Sequence, residues 1–236
     1  MINYGWRARL GVLVPSLVTA AEAELCAMVP EGVTCHFQRF KFQGGGLEEM
    51  MPLKDRVIAA AELVAHVAPK SVAMCCTAGS FAGGKGYDTG IAEALQKKTG
   101  VPATTASSSA LEALKALGVK KVALAVPYLE ELARAEETFL EDNGVEVVSM
   151  DYLNEDRGIP KIPYERTYDL VKRTDVPDAE AVFISCVGLH TVGMIEQLEQ
   201  DLGKPVVSSN QVTLWRLLRL AKIGDSIPGF GKLLTI

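Results

Sequence analysis

Short apolar runs alternate with helix-length amphipathic stretches along the whole chain. Strand-like runs cover Leu10–Pro15, Val33–Phe42, Ser71–Cys75, Ala103–Thr105, Lys121–Val126, Glu146–Tyr152, Ala181–Ser185 and Val206–Ser208. Helical periodicity falls near Ala20–Met28, Leu53–Val67, Tyr87–Thr99, Ser107–Leu117, Leu129–Asn143, Tyr164–Arg173, Thr191–Leu202 and Thr213–Leu220. Gly100 and Gly144 stand just past two of these helices and suit helix stops. Strand and helix in repeated alternation imply a mostly parallel sheet with helices packed on it. The pattern predicts an α/β fold.

The pattern also repeats. Leu10-Gly-Val-Leu-Val-Pro15 resembles Val122-Ala-Leu-Ala-Val-Pro127, and Gly100-Val-Pro-Ala-Thr-Thr105 resembles Gly203-Lys-Pro-Val-Val-Ser208. At nearly equal distances after Pro15 and Pro127, an apolar run ends in a cysteine: Cys76 in the first half, Cys186 in the second. The ordered set implies two similar Rossmann-like α/β lobes with parallel sheets, related by a pseudo-twofold axis. The expected division is 1–105 plus 209–236 for one lobe and 106–208 for the other. Ligands bind outside the carboxyl ends of parallel strands. Pro15, Ser16, Cys76, Thr77, Ala78, Pro127, Tyr128, Cys186, Val187 and Gly188 all follow strand ends, so topology directs them to a cleft between the lobes.

Composition narrows the chemistry. With 236 residues and 48% hydrophobic content the chain can build a sizeable core. A net charge of −5 without a basic cluster disfavours nucleic acid. No run of about 18 apolar residues suggests a membrane span. The first residues lack a secretory pattern, so a cytoplasmic protein is expected. The five cysteines (26, 35, 75, 76 and 186) form no disulfide framework, and with three scattered histidines they give no zinc spacing, so no metal is expected. Cys26, Cys35 and Cys75 read as packed core thiols. No dinucleotide or Walker glycine motif follows a strand, so Gly44–Gly46 and Gly83–Gly86 read as turns or hinges, and no cofactor is expected.

Two thiols across one cleft can take a proton from one face of a small molecule and return it on another, or attack and later eliminate. Backbone N–H groups, hydroxyls and the dipole of the helix near Thr191 are candidates to lower their pKa. The same N–H groups suit a carboxylate. Tyr128 is placed to donate a hydrogen bond to a carboxylate or enolate oxygen. His190 is near enough in sequence to Cys186 to be its base, or else an ordinary surface side chain. Ser107–Ser109, Ser208 and Ser209 read as helix caps. Glu22, Glu24, Glu130, Glu131, Glu136 and Glu137 read as solvated helix faces.

Cys76-Thr-Ala-Gly-Ser-Phe81, with Gly84 and Gly86-Tyr-Asp88, resembles the aspartate/glutamate racemase superfamily. It is most similar to the branch of maleate cis-trans isomerases and arylmalonate decarboxylases. The likeness extends through Arg9–Ser16, Pro127-Tyr128, Ser185-Cys186, Gly203–Val207 and the tail Pro228–Leu234. It implies a cofactor-independent two-cysteine isomerase acting on a small carboxylate through an enolate-like intermediate. Cys76 would add to the alkene and Cys186 would carry the proton. Pro15, Ser16, Thr77, Ala78, Tyr128, Asn154, Val187 and Gly188 would bind the substrate.

The departures from the superfamily are informative. Amino-acid racemases follow their cysteines with Asn-Thr and Thr-His, which are absent here, so amino-acid racemisation is disfavoured. Arylmalonate decarboxylases resemble this chain with Gly in place of Cys76. Val18 stands where the family often has a carboxylate-binding Asn, which points toward a more apolar or monocarboxylate substrate. Racemisation and decarboxylation remain enzymatic alternatives, and a two-lobed small-molecule binding protein remains the non-enzymatic one. Apolar helix faces allow a homo-oligomer.

Overall fold

The computed structural model describes residues 3–236, and it contains two four-stranded parallel sheets. The first is built from β1 (Ala8–Pro15), β2 (Val33–Phe40), β3 (Ser71–Met74) and β4 (Ala103–Thr105), in the order β2-β1-β3-β4. The second uses β5 (Lys121–Val126), β6 (Glu146–Tyr152), β7 (Ala181–Ile184) and β8 (Val206–Ser208), in the order β6-β5-β7-β8. The two orders are the same, as the sequence repeat requires. β1 and β5 are inner strands and almost wholly buried, which is why they read as unbroken apolar runs. β2 and β6 lie at sheet edges and are half-buried, with Thr34, His36 and Gln38 interleaved along β2.

Helices connect the strands. The first half contains α1 (Ala20–Met28), α2 (Leu47–Met50), α3 (Leu53–Ala65), α4 (Thr77–Phe81), α5 (Tyr87–Thr99) and α6 (Ala106–Ala116). The second contains α7 (Glu130–Asp142), α8 (Tyr164–Thr174), α9 (Ile195–Leu202) and α10 (Ser209–Leu220). The last helix returns to the first sheet: α10 packs on β3, β4 and α6, and Ser71 Oγ donates to the Leu217 carbonyl at 2.8 Å. No helix among the described residues is long and apolar enough to cross a membrane.

Several boundaries differ from expectation for local reasons. β2 stops at Phe40 because Ser16 Oγ binds both the carbonyl and the N–H of Phe42, at 2.9 and 3.1 Å, and draws the chain out of the sheet. α10 starts at Ser209, well before Thr213, because Ser208 and Gln211 form a reciprocal capping box. α6 is capped by Thr105, whose side chain accepts from Ser108 N, so Ser107–Ser109 lie inside the helix. Near Thr191 a 3-10 turn (Val192–Met194) precedes α9. Cys26 is exposed on α1 and Cys35 half-buried on β2, so the packed-core expectation fails for the first and is partial for the second.

Glu24 does not sit on a solvated face. Its carboxylate accepts from Thr191 N, Thr191 Oγ1 (3.0 Å), Val192 N (3.0 Å) and Asn210 Nδ2 (2.7 Å). It thereby joins α1 to the segment after β7 and to α10. Glu22, by contrast, pairs with Arg39 at the surface at 2.7 Å. Removing the shared acceptor leaves four donors to find water. Glu24→Ala is expected to cost about 1–3 kcal/mol in urea unfolding. It should also speed amide exchange at Thr191 and Val192, which an unrelated global loss would not single out.

Candidate active site

One hydrogen bond in each lobe sets the position of each thiol. Cys75 N donates to the Leu13 carbonyl at 2.8 Å, and Ser185 N donates to the Ala125 carbonyl at 2.9 Å. Each bond holds the residue before the thiol against the neighbouring inner strand, so the next residue leaves the sheet at its carboxyl end. Cys76 is the N-cap of α4, not part of an open loop as the sequence suggested. Cys186 turns sharply, with φ of 133°, a region costing roughly 1–3 kcal/mol for an L residue.

The two turns are tied together by one hydroxyl. Ser209 Oγ accepts from Thr77 Oγ1 at 2.8 Å and from Cys186 N at 3.0 Å. Beneath α4, Ser80 and Ser107 share a hydrogen bond at 2.7 Å, and both hydroxyls reach the Thr77 carbonyl. These contacts satisfy the polar groups that a buried turn would otherwise strand.

Both thiols line the cleft so formed. Of the residues singled out from sequence, Pro15, Thr77, Ala78, Tyr128, Val187 and Gly188 line it as well. Ser16 and Asn154 do not. The Ser16 side chain is held by Phe42, and Asn154 is exposed, in a left-handed conformation (φ 58°), one residue before the cleft-lining Glu155–Arg157. His190 is exposed and also lies outside the lining. Cys75 is fully buried, with its sulfur 3.8 Å from Asn210 Oδ1.

Sequence reading missed other parts of this cleft. Leu17, Phe42, Met50, Leu132 and Ile159 join Val18 in an apolar wall, and Arg157 is the only cation lining it among the described residues. The Gly44–Gly46 turn closes against Arg157. A Cβ on Gly44, at φ +86°, would stand 3.0 Å from Arg157 Cγ, so these two loops approach closely only with glycine there. Behind the lining, Ser209 had been read only as a helix cap and Glu136 as a solvated face, and Ser185 had no assigned role. Among the described residues no group of three His, Cys, Asp or Glu side chains converges to hold a metal ion.

Burial dominates the thiols' acidity. The Cys76 thiol is pushed up to about 12 by desolvation, partly opposed by the Gly79 N–H and reinforced by the nearby Cys186. Cys186 is pushed up to about 11 by the same burial, opposed by the Gly188 N–H, the Tyr128 hydroxyl and the Leu189 N–H, while Glu136 raises it further. The Gly188 N–H lies 3.3 Å from the Cys186 sulfur. Both groups are therefore thiols at neutral pH. Tyr128 is 4% exposed, with its ring edge-on to Phe81 at 6.4 Å, and burial raises its phenol well above the ordinary value.

A family model described as arylmalonate decarboxylase matches residues 10–234. The chain belongs to the arylmalonate decarboxylase family. The arylmalonate decarboxylase of Bordetella bronchiseptica is 28% identical, covering 95% of both chains. The maleate isomerase of Geobacillus stearothermophilus is 27% identical over 96% of this chain and 97% of its own length. The crystal structure of the maleate isomerase Iso from Pseudomonas putida S16 shares the fold, with a TM-score of 0.92 at 23% identity over 97% of this chain and 98% of that one. The chain is thus similar to proteins of both groups that the sequence resemblance named.

Gly79 is a close-packed point of the site. A Cβ there would lie 3.0 Å from Cys76 Sγ and 2.9 Å from both Leu53 Cδ1 and Met74 Cε. Gly79→Ala is expected to lower stability by about 1–3 kcal/mol. It should slow turnover roughly tenfold or more by displacing the Cys76 sulfur, read by steady-state kinetics beside a thermal melt.

Proposed function

We propose that this chain catalyses cis–trans isomerisation of a small unsaturated carboxylate without a cofactor, using Cys76 and Cys186. The observation that carries the reading is the pair of buried, free thiols lining one cleft. Relatives named maleate isomerase, at 27% identity over nearly the whole chain, support it. The first-turn N–H groups of Thr77 and Ala78, which have no partner within α4, are assigned to one substrate carboxylate, and the Tyr128 hydroxyl to stabilising the enolate. Val187, Gly188 and Pro15 shape the cleft around them. Ser16 and Asn154 stay outside this assignment.

The Cys76 sulfur forms a bond to one alkene carbon, and the π electrons move into the adjacent carboxylate as an enolate. Cys186 gives its proton to the neighbouring carbon while the Cys76 proton passes to Cys186. The result is S–H added across the double bond. The former alkene is now a single bond and rotates freely. Cys186 then takes the carbon-bound proton as its own passes to the departing Cys76 sulfur, the C–S bond breaks, and the trans alkene leaves with both thiols restored. Raising a covalent intermediate replaces a prohibitive rotation with two accessible steps. The resting thiols suit this scheme, since a neutral S–H brings its own proton. The lobe division 1–105 plus 209–236 and 106–208, and a cytoplasmic location, belong to the same proposal; five free thiols support the latter.

The apolar wall favours a second reading, decarboxylation of a substituted malonate through the same enolate, as the name of the Bordetella relative suggests. Assays in deuterated water with maleate and with an arylmalonate separate the two. Isomerisation converts the cis alkene without carbon dioxide release, whereas decarboxylation releases it. Release of carbon dioxide alone, or no turnover of either acid, would overturn the proposal.

Cys76→Ser and Cys186→Ser are each expected to lower isomerisation on the order of 10³-fold or more. Cys186→Ser should leave a mass adduct on Cys76, whereas Cys76→Ser should leave none. Val18 borders the cleft beside Gly188. Val18→Asn would offer an amide to a second carboxylate, and a hydrogen bond to a charged group contributes about 1.5–3 kcal/mol. The maleate KM should fall about tenfold, while the KM for a monocarboxylate stays unchanged.

A further inference from the structure

Glu136 occupies a position where the helix pattern calls for an apolar side chain. The buried stripe of α7 is Leu132, Ala133, Glu136, Phe139 and Leu140, and Glu136 is only 1% exposed. Its Oε1 accepts from Ser185 Oγ at 2.5 Å, while Oε2 has no partner. No Lys, Arg or His pairs with it among the described residues. An unpaired buried carboxylate is costly, and a chain seeking only stability would place Leu or Gln there.

The surroundings of Glu136 give it a direction. Ser185 precedes Cys186, and the acidity of the Tyr128 phenol responds to both the Ser185 hydroxyl and the Cys186 sulfur. The titratable groups that feel Glu136 are Tyr128 and Cys186. α7 also packs against α4, which carries no titratable side chain, and against β6. The β6 groups are engaged elsewhere: Glu146 with Lys121, Asp151 with Arg173, and Tyr152 toward Glu130.

We propose that Glu136 is a positioning residue for Cys186, the inner end of a chain Glu136–Ser185–Tyr128–Cys186 that can hold one negative charge but not two. The inference rests on Cys186 as the proton carrier, but its readout is the chemistry of that thiol and needs no turnover. With Glu136 protonated, its O–H donates to Ser185 Oγ, Ser185 donates to the Tyr128 oxygen, and Tyr128 donates to the Cys186 sulfur. Every proton then points toward a Cys186 thiolate. With Glu136 ionised, the Ser185 proton turns to the carboxylate, Tyr128 loses a donor, and a negative charge is added nearby. Cys186 is then held as a thiol. Burial pushes the Glu136 carboxyl up to about 8, opposed by the Ser185 hydrogen bond, so the neutral acid predominates at neutral pH and the switch lies just above it.

Glu136→Gln keeps a donor to Ser185 and cannot ionise. Site-resolved alkylation of Cys186 by iodoacetamide, followed by mass spectrometry from pH 6 to 10, reads the thiolate directly. Above pH 8 the variant is expected to react about five- to tenfold faster than the native chain, with the two profiles converging below pH 7. Stability supplies a second measurement. A carboxyl whose folded pKa exceeds its unfolded value binds more protons when folded, so its contribution falls as pH rises from about 4.5 to 8. The urea midpoint of Glu136→Gln relative to the native chain should rise over that window. Carbon-13 titration of glutamate-labelled native chain covers the case of a variant that does not fold. One carboxyl should titrate near pH 8, in step with a change in Cys186 reactivity. Superimposed alkylation profiles, or a Glu136 carboxyl titrating in the ordinary range, would overturn the proposal, and neither result bears on whether the enzyme isomerises maleate.

Discussion

Two sulfur atoms from separate sheets can serve one small molecule only if their turns are locked to each other, and the Ser209 hydroxyl is that lock. It accepts from Thr77 on one side and from the Cys186 backbone on the other. Ser209 opens α10, the helix that leaves the second sheet and packs on the first. The geometry of the cleft is thus coupled to the chain's last crossover. Glu24 reinforces the same junction from α1 through Thr191, Val192 and Asn210. Removing any of these groups would loosen the spacing on which transfer between two buried thiols depends.

Burial gives the site its chemical character. A thiol in water near its ordinary pKa is a ready nucleophile but also a ready target for oxidants and stray electrophiles. Here desolvation raises both thiols, and a few directed N–H and O–H groups hold back part of that rise. Such groups act more strongly in a dry site than they would in water. The apolar wall of Leu17, Val18, Phe42 and Met50 therefore contributes to acidity as well as to shape.

The sheets were legible because inner strands of a parallel sheet are buried on both faces and leave unbroken apolar runs, as in Val122–Val126. The thiol pair was legible because the repeat places Cys76 and Cys186 after equivalent strands. α4 was not, since Thr77-Ala-Gly-Ser-Phe81 has little helical propensity and is held by hydroxyls from α6 and α10. Glu136 was misread because it lies among Glu130, Glu131 and Glu137 and looks like part of a solvated face. The signal was present in the spacing: Leu132, Ala133, Phe139 and Leu140 put position 136 in the middle of an apolar stripe. Glu24 gave no such signal, because its partners Thr191 and Asn210 are remote in sequence. Asn154 was drawn from family likeness alone, and its left-handed, exposed backbone leaves it outside the cleft lining.

The φ of 133° at Cys186 bears on how this chain would respond to improvement by trial. A glycine would adopt that conformation without a side-chain penalty. A laboratory search scored on heat resistance alone would thus be drawn to glycine at position 186, gaining robustness by discarding a thiol. Any such campaign on this scaffold must score turnover in the same round, because at this residue durability and chemistry pull in opposite directions.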